Sequence, residues 1–204
     1  GELPIPTRAN YSFDAWYSSG SGGVRILPSD VVTSDMQIYA HWIPDKYTVT
    51  FDANGGVGGT SGLMDYESAI VAPTVTRTGY TFKGWTPTVA ATVPVGGATY
   101  TALWQVNRYT VTFNANGGVG GKSVRQDYGT VIAVPTVTRT GYTFKGWSPE
   151  VAVTVPASDV TYTAQWEINK YSVTLDVNGG TCGTESITVE HGATVGALPA
   201  PTRE

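Results

Sequence analysis

The chain is predicted to be mainly β: tandem small modules of about four strands, each with a short irregular or helical crossover, arranged as an extended rod. Three observations predict this. Thr, Val, Tyr, Gly and Pro dominate while Leu, Glu and Lys are scarce, which is strand composition. Apolar residues return at every second position, as in Tyr47-Thr48-Val49-Thr50-Phe51. And Gly79-Tyr80-Thr81-Phe82-Lys83-Gly84-Trp85 comes back unchanged as Gly141-Tyr142-Thr143-Phe144-Lys145-Gly146-Trp147, 62 positions later. A looser copy, Asn10-Tyr11-Ser12-Phe13-Asp14-Ala15-Trp16, stands near the amino end. Self-similarity at a fixed period marks an array of one structural unit.

Residues 1–42 are expected to form the back half of a divergent repeat, 47–104 and 109–166 two full repeats, and 171–204 the front half of another. The two full repeats align without gaps and agree at roughly two thirds of positions, a level that implies one shared fold. Gly196 to Arg203 resembles Gly1 to Arg8 almost position for position, so the chain reads as three units cut in a permuted register.

Within a unit the first strand alternates, with Tyr47, Val49 and Phe51 on one face and Thr48 and Thr50 on the other. Asn54-Gly55 then supplies residues that tolerate positive φ, and Asn116-Gly117 and Asn178-Gly179 repeat the signal. A second strand is clearest as Ser186–Glu190 and faint around Leu63–Tyr66. The run from Pro73 to Gly79 reads as a loop with room for a single helical turn. The third strand sets Tyr80 and Phe82 on one face, and Gly84 breaks the alternation before Trp85, which predicts a bulge. The fourth strand presents Tyr100, Ala102 and Trp104 together. Only four residues separate units (Ile43–Lys46, Gln105–Arg108, Glu167–Lys170), and without Gly or Ser such links have little slack.

These residues resemble the Listeria–Bacteroides repeat family, known best from the B-repeat of internalins. The family pattern Tyr-x-Val-x-Phe-x-x-Asn-Gly-Gly matches Tyr47 through Gly56. Its Gly-Tyr-x-Phe-x-Gly-Trp matches Gly79 through Trp85, and its closing Tyr-x-Ala-x-Trp matches Tyr100 through Trp104. The resemblance implies a β-grasp-like module. It also implies a place in long multi-repeat proteins of the bacterial cell surface, extracellular and anchored to the cell wall through a region outside this chain. Residues 1–42 depart from the pattern, with Ala9-Asn10 for Thr-Gly and Ala15 for the glycine before Trp16.

The remaining chemistry is sparse. Charged residues are 14% and the net charge is −4, so the chain lacks the basic footprint of a nucleic-acid binder. No apolar run is long enough to insert this segment in a membrane as a helix. Asp52-x-Asn54 and Asp176-x-Asn178 hint at calcium, yet Asn114 replaces the acid in the middle repeat and no bidentate glutamate follows, so a turn is the reading. His41 and His191 stand at unrelated positions, and no nucleophile elbow, phosphate loop or zinc pair occurs. Catalytic, metal and cofactor-binding residues are therefore expected to be absent.

The six tryptophans occupy two registers, Trp16/Trp85/Trp147 and Trp42/Trp104/Trp166. They are read as core and seam residues, together with Tyr47, Phe51, Tyr80, Phe82 and Tyr100, and with Tyr109, Phe113, Tyr142, Phe144 and Tyr162 in the next repeat, since repeat proteins re-use packing positions. The expected function is a non-enzymatic structural array: a stalk, spacer or filament segment whose partners are neighbouring repeats or copies of the same protein. Head-to-tail assembly would complete split repeats in trans. The alternative is an adhesin module for a glycan or host protein, with one tryptophan register lining a groove.

Overall fold

A computed structural model describes residues 3–203, and these residues contain twelve β-strands and no helix. The chain divides into two compact units, residues 1–105 and 106–204. The first unit carries β1 (Tyr11–Tyr17), β2 (Tyr39–Pro44), β3 (Lys46–Asp52), β4 (Thr60–Asp65), β5 (Tyr80–Thr86) and β6 (Ala98–Val106). The second carries β7 (Arg108–Asn114), β8 (Lys122–Asp127), β9 (Tyr142–Ser148), β10 (Val160–Ile168), β11 (Lys170–Thr174) and β12 (Ser186–Glu190).

Each unit holds one four-stranded sheet, in the order β4-β3-β6-β5 or β8-β7-β10-β9, and one two-stranded sheet, β1-β2 or β11-β12. The four-stranded sheets are mixed. β3 runs antiparallel to β4 but parallel to β6, with Phe51 opposite Tyr100, and β7 and β10 repeat this with Phe113 opposite Tyr162. The first strand is thus central, flanked by the hairpin partner that follows it and by the last strand of the repeat.

Alternation decides which face of that central pair is buried. Val49, Phe51 and Tyr100 are 3%, 4% and 2% exposed and close on Val93, with Trp85 against the cluster. Ala53, Val75 and Ala102 form a second small cluster between Trp85 and Trp104. The same two clusters recur around Phe113 and Ala164. The crossover that covers them is irregular, with no helical turn. After a turn at Glu67, residues 68–70 and 91–93 run side by side, held by Glu67 N–H to Val93 O, Val93 N–H to Ser68 O and Ile70 N–H to Ala91 O. Val-Pro at 93–94 thereby ends a covering segment rather than interrupting a sheet strand.

The bulge expected at Gly84 is present at its counterpart. Phe144 pairs with Trp166 and Gly146 with Gln165, so Lys145 is the extra residue and Gly146 sits at φ 124°. That insertion brings Trp147 onto the same face as Phe144, which lies at the edge of the core. Phe144 is 38% exposed and packs edge-on against Trp147 and Trp166, as Phe82, at 37%, does against Trp85 and Trp104. Tyr142 and Phe144 pair in regular register with Ile168 and Trp166, so the two share one face, as expected for Tyr80 and Phe82, and Phe144 lies at its exposed edge.

Replacing Phe113 with Ala should therefore cost about 3–5 kcal/mol, the usual loss for a buried aromatic. Phe144→Ala should cost clearly less, and chemical denaturation of the two variants compares them directly. Equal losses would show that the half-exposed end of this aromatic face depends on packing as much as its buried centre.

Candidate functional site: the seams between repeats

The four-residue links are part of the folded structure. In the first unit, Asp45 donates its N–H to Asn10 O at 3.0 Å, and its carbonyl accepts the Tyr66 N–H at 2.8 Å. One residue is thus bonded to the repeat before it and the repeat after it. Its carboxylate also accepts the Ser12 hydroxyl at 2.9 Å. Three tyrosines pack around this point. Tyr66 meets Tyr11 and Tyr47 edge-on, with ring centroids 5.7 and 6.1 Å apart. Tyr47 donates its hydroxyl to Asn10 Oδ1 at 2.9 Å, and Tyr11 donates to Glu67 at 2.7 Å while Arg8 lies over its ring.

The second unit builds its seam at the same positions. Asn169 donates its N–H to Gly141 O and accepts from His191 N–H, both at 2.8 Å, and its side-chain oxygen accepts the Thr143 hydroxyl at 2.6 Å. His191 takes the place that Tyr66 holds in the first unit. Its imidazole fills the space above Gly141, so that any side chain there would collide with the ring. Arg139 covers Tyr142 as Arg8 covers Tyr11, and Lys145 pairs with Glu167 at 2.9 Å.

The two tryptophan registers pack within their own repeats. Trp85 and Trp147 contact Phe51 and Phe113 at 4.9 Å between centroids. Trp104 and Trp166 donate their indole N–H to Ala53 O and Ala115 O at 2.9 Å. The tight approach explains Gly56, where a Cβ would come within 2.8 Å of the Trp104 ring. All six indoles are half-buried. Seam contacts in the first unit fall to tyrosines, among them Tyr47 from the predicted set, and in the second unit Tyr142 stands where Tyr11 stands in the first. Tyr11, Tyr66, Asp45 and Asn169 were not singled out by sequence. The available signal was an Asp or Asn at the third place of every link, followed by Lys or Arg.

The turn residues Asn54, Asn116 and Asn178 have φ of 48°, 49° and 43°, followed by Gly55, Gly117 and Gly179 at 81° to 83°. Asp52 and Asp176 cap their own turns, accepting the N–H of Asn54 and Asn178 at 2.8 and 2.9 Å. Asn114 does the same for Asn116, so a carboxamide serves as well as a carboxylate and the position follows turn geometry. Among the described residues no group of three or more His, Cys, Asp or Glu could hold a metal.

The hydrogen bond to Glu67, followed by burial, raises the pKa of Tyr11 above the ordinary tyrosine value. The folded seam favours the neutral phenol. Its contribution is complete below the ordinary tyrosine pKa and is lost as pH rises through the raised value. The Lys145 hydrogen bond and charge lower Glu167, so that contribution is present above the ordinary glutamate range and is lost as pH falls through the lowered value. Ultraviolet titration should show Tyr11 ionising late, and Glu67→Gln should return it toward the ordinary value. An unchanged Tyr11 titration in that variant would mean that the hydroxyl points elsewhere.

Known proteins carry the same pattern. The Listeria–Bacteroides repeat domain matches residues 1–41, 47–100, 109–166 and 171–204. A protein described as a putative Gly-rich membrane protein of Evansella cellulosilytica is 32% identical over 233 aligned positions, covering 97% of this chain and 27% of its own length. A putative membrane protein of the same organism is 33% identical over 184 positions, covering 81% of this chain and 27% of its own. Internalin H of Listeria monocytogenes is 34% identical over 87 positions, which is 41% of this chain and 16% of the internalin. The chain thus spans about a quarter of the length of the first two relatives, and no solved structure matches it significantly. With its repeats matched from end to end, the chain belongs to the Listeria–Bacteroides repeat family.

Proposed function

We propose that this segment is a non-enzymatic structural array of a bacterial cell-surface protein, working as a stalk or spacer. The observation that carries the reading is the link residue bonded on both sides, Asp45 in one unit and Asn169 in the other. A link that donates to one repeat and accepts from the next resists bending at the seam, which is the property a spacer needs. Internalin H supports a surface setting by its kind, and the two Evansella relatives by their description as membrane proteins. No helix among the described residues is long and apolar enough to cross a membrane, so attachment by a helix would use another part of the protein.

Residual dipolar couplings test the claim within the first unit. The β1-β2 sheet and the β3–β6 sheet should fit a single alignment tensor. Asp45→Pro, which removes the bridging donor, should split it in two. Separate tensors in the unaltered chain would sink the spacer reading.

Second copies of the chain are the partner this reading offers. Among the described residues β11 has no parallel neighbour, unlike β3 and β7, and it is five residues long where they are seven. β2 begins at Tyr39, three residues later than its counterpart β6 when Trp42 is aligned with Trp104. A second copy pairing these edges would set Leu175 opposite Ile38, in the places of Phe51 and Tyr100. Residues 3–8 and 198–203 are alike in sequence, so one of the two must yield in such a pairing. Light scattering over a dilution series should then show concentration-dependent assembly, and a strict monomer would end this part of the reading.

The adhesin alternative has one observation in its favour. Arg77, Thr78, Phe82 and Trp104 line a shallow surface groove, and Arg139, Thr140, Phe144 and Trp166 stand at the same places in the next repeat. Glycan binding there should alter tryptophan fluorescence and be lost in Phe82→Ala/Phe144→Ala. A flat response across neutral and acidic sugars would dismiss it.

A further inference from the structure

Cations on the two full repeats divide into those that face a carboxylate and those that do not. Lys46, Arg108 and Lys145 pair with Asp65, Asp127 and Glu167. Arg77 and Arg139 make no ion pair among the described residues, yet each is held in place. One N–H of Arg77 donates to Asn54 O at 3.0 Å, and its guanidinium carbon lies 4.0 Å from the centre of the Tyr80 ring. Arg139 repeats this with Asn116 O at 3.2 Å and the Tyr142 ring at 3.8 Å. A guanidinium carries five N–H groups, so most of each fork is left without a protein acceptor. Both arginines are half-buried, whereas the other unpaired cations of these repeats, Lys83, Lys122 and Arg125, are exposed.

We propose that the groove holding Arg77, and its copy at Arg139, bind a sugar that carries a carboxylate, such as the uronic acid of an acidic polysaccharide. This ligand presupposes the adhesin reading and narrows it to one charge class. Thr76 and Thr78 line the groove with Arg77, Phe82 and Trp104, and Thr138 and Thr140 recur beside Arg139. Phe82 is 37% exposed in a repeat whose other phenylalanine, Phe51, is 4% exposed. An open aromatic surface thus stands beside a fixed cation, and Phe144, at 38%, repeats it.

A pyranose presents polarised C–H bonds, which favour the electron-rich face of an aromatic ring. A carboxylate on that sugar takes two parallel N–H bonds from a guanidinium, a geometry that lysine does not offer. Tyr80 and Asn54 O hold the fork before the ligand arrives, so little rotamer freedom is lost on binding. Threonine hydroxyls both donate and accept, which suits the hydroxyls of a sugar ring. The net charge of the chain is −4, so a polyanion finds no general attraction and its affinity has to come from the groove. An acidic peptide would supply the charge but no pyranose face for Phe82.

Calorimetric titration of the full chain with tetragalacturonate, with its methyl ester and with poly-glutamate separates these contributions. Tetragalacturonate should bind about tenfold more tightly than the ester, the order of one charge-assisted hydrogen bond, and should weaken as salt rises. Poly-glutamate should not bind. Arg77→Lys/Arg139→Lys keeps both charges and should lower the affinity toward that of the ester. Equal affinity for acid and ester in the unaltered chain would overturn the carboxylate assignment and leave the adhesin reading standing. Failure of tetragalacturonate to bind would also overturn it, and the adhesin reading would fall with it only if neutral oligosaccharides failed too. Poly-glutamate binding as tightly as the sugar would overturn the proposal in favour of an acidic peptide.

Discussion

The parallel pairing of the first and fourth strands is the contact on which each repeat depends. It places Phe51 opposite Tyr100 and Phe113 opposite Tyr162, and these rings with Val93 and Val155 make up most of the fully enclosed core. It also brings the fourth strand's backbone under the Asn-Gly turn, so that Ala102 O receives a carboxamide and Trp104 reaches Ala53 O. Parallel pairing joins residues far apart in sequence, about fifty here, so nothing local enforces it. Among the described residues β11 pairs with β12 alone, and there Tyr171 is 51% exposed and Val173 is half-buried, whereas Val49 and Val111 are nearly sealed.

Much of this was legible in the sequence, because the signals were local. Period-two alternation identified Val49 and Phe51 as the inward pair, and Asn-Gly identified the turn. What local pattern could not reveal was where polar groups go across the fold. Asn54 was chosen by steric reasoning for its positive φ, yet its carboxamide also spans to a strand 48 residues away. The seams were missed for a related reason. Asp45 and Asn169 act chiefly through backbone N–H and C=O, which every residue has, so their role leaves only a faint mark in side-chain type. The bulge before Trp147 was legible from the glycine, and it brings that indole onto the face of Phe144, since a single insertion reverses facing beyond it.

The divergent first repeat shows how such constraints are met by other residues. Asn10 stands where the full repeats have Gly79 and Gly141, and it adopts the same positive φ, 64° against 78°. Asparagine is among the few side chains that tolerate this region, and here its side-chain oxygen also accepts the Tyr47 hydroxyl. Ala15 replaces the bulge glycine, and the register still shifts, around Asp14 between Phe13 and Ala15. The bulge therefore follows from the pairing of the strands and does not require glycine.

Seam strength then becomes a question of which contacts carry it. The charged pairs at fixed places, Lys46–Asp65, Arg108–Asp127 and Lys170–Glu190, are about half exposed and join the first two strands of each repeat, pinning register there. Exposed pairs of this kind are worth about 0–1 kcal/mol and fade with salt. They cannot hold one repeat to the next. The backbone bonds of Asp45 and Asn169 and the edge-on tyrosines of the first seam are uncharged, and such contacts change little with ionic strength. Seams joined in this way depend little on salt, and the charged contacts beside them are local ones, Glu67 with Tyr11, Asp45 with Ser12 and Lys145 with Glu167.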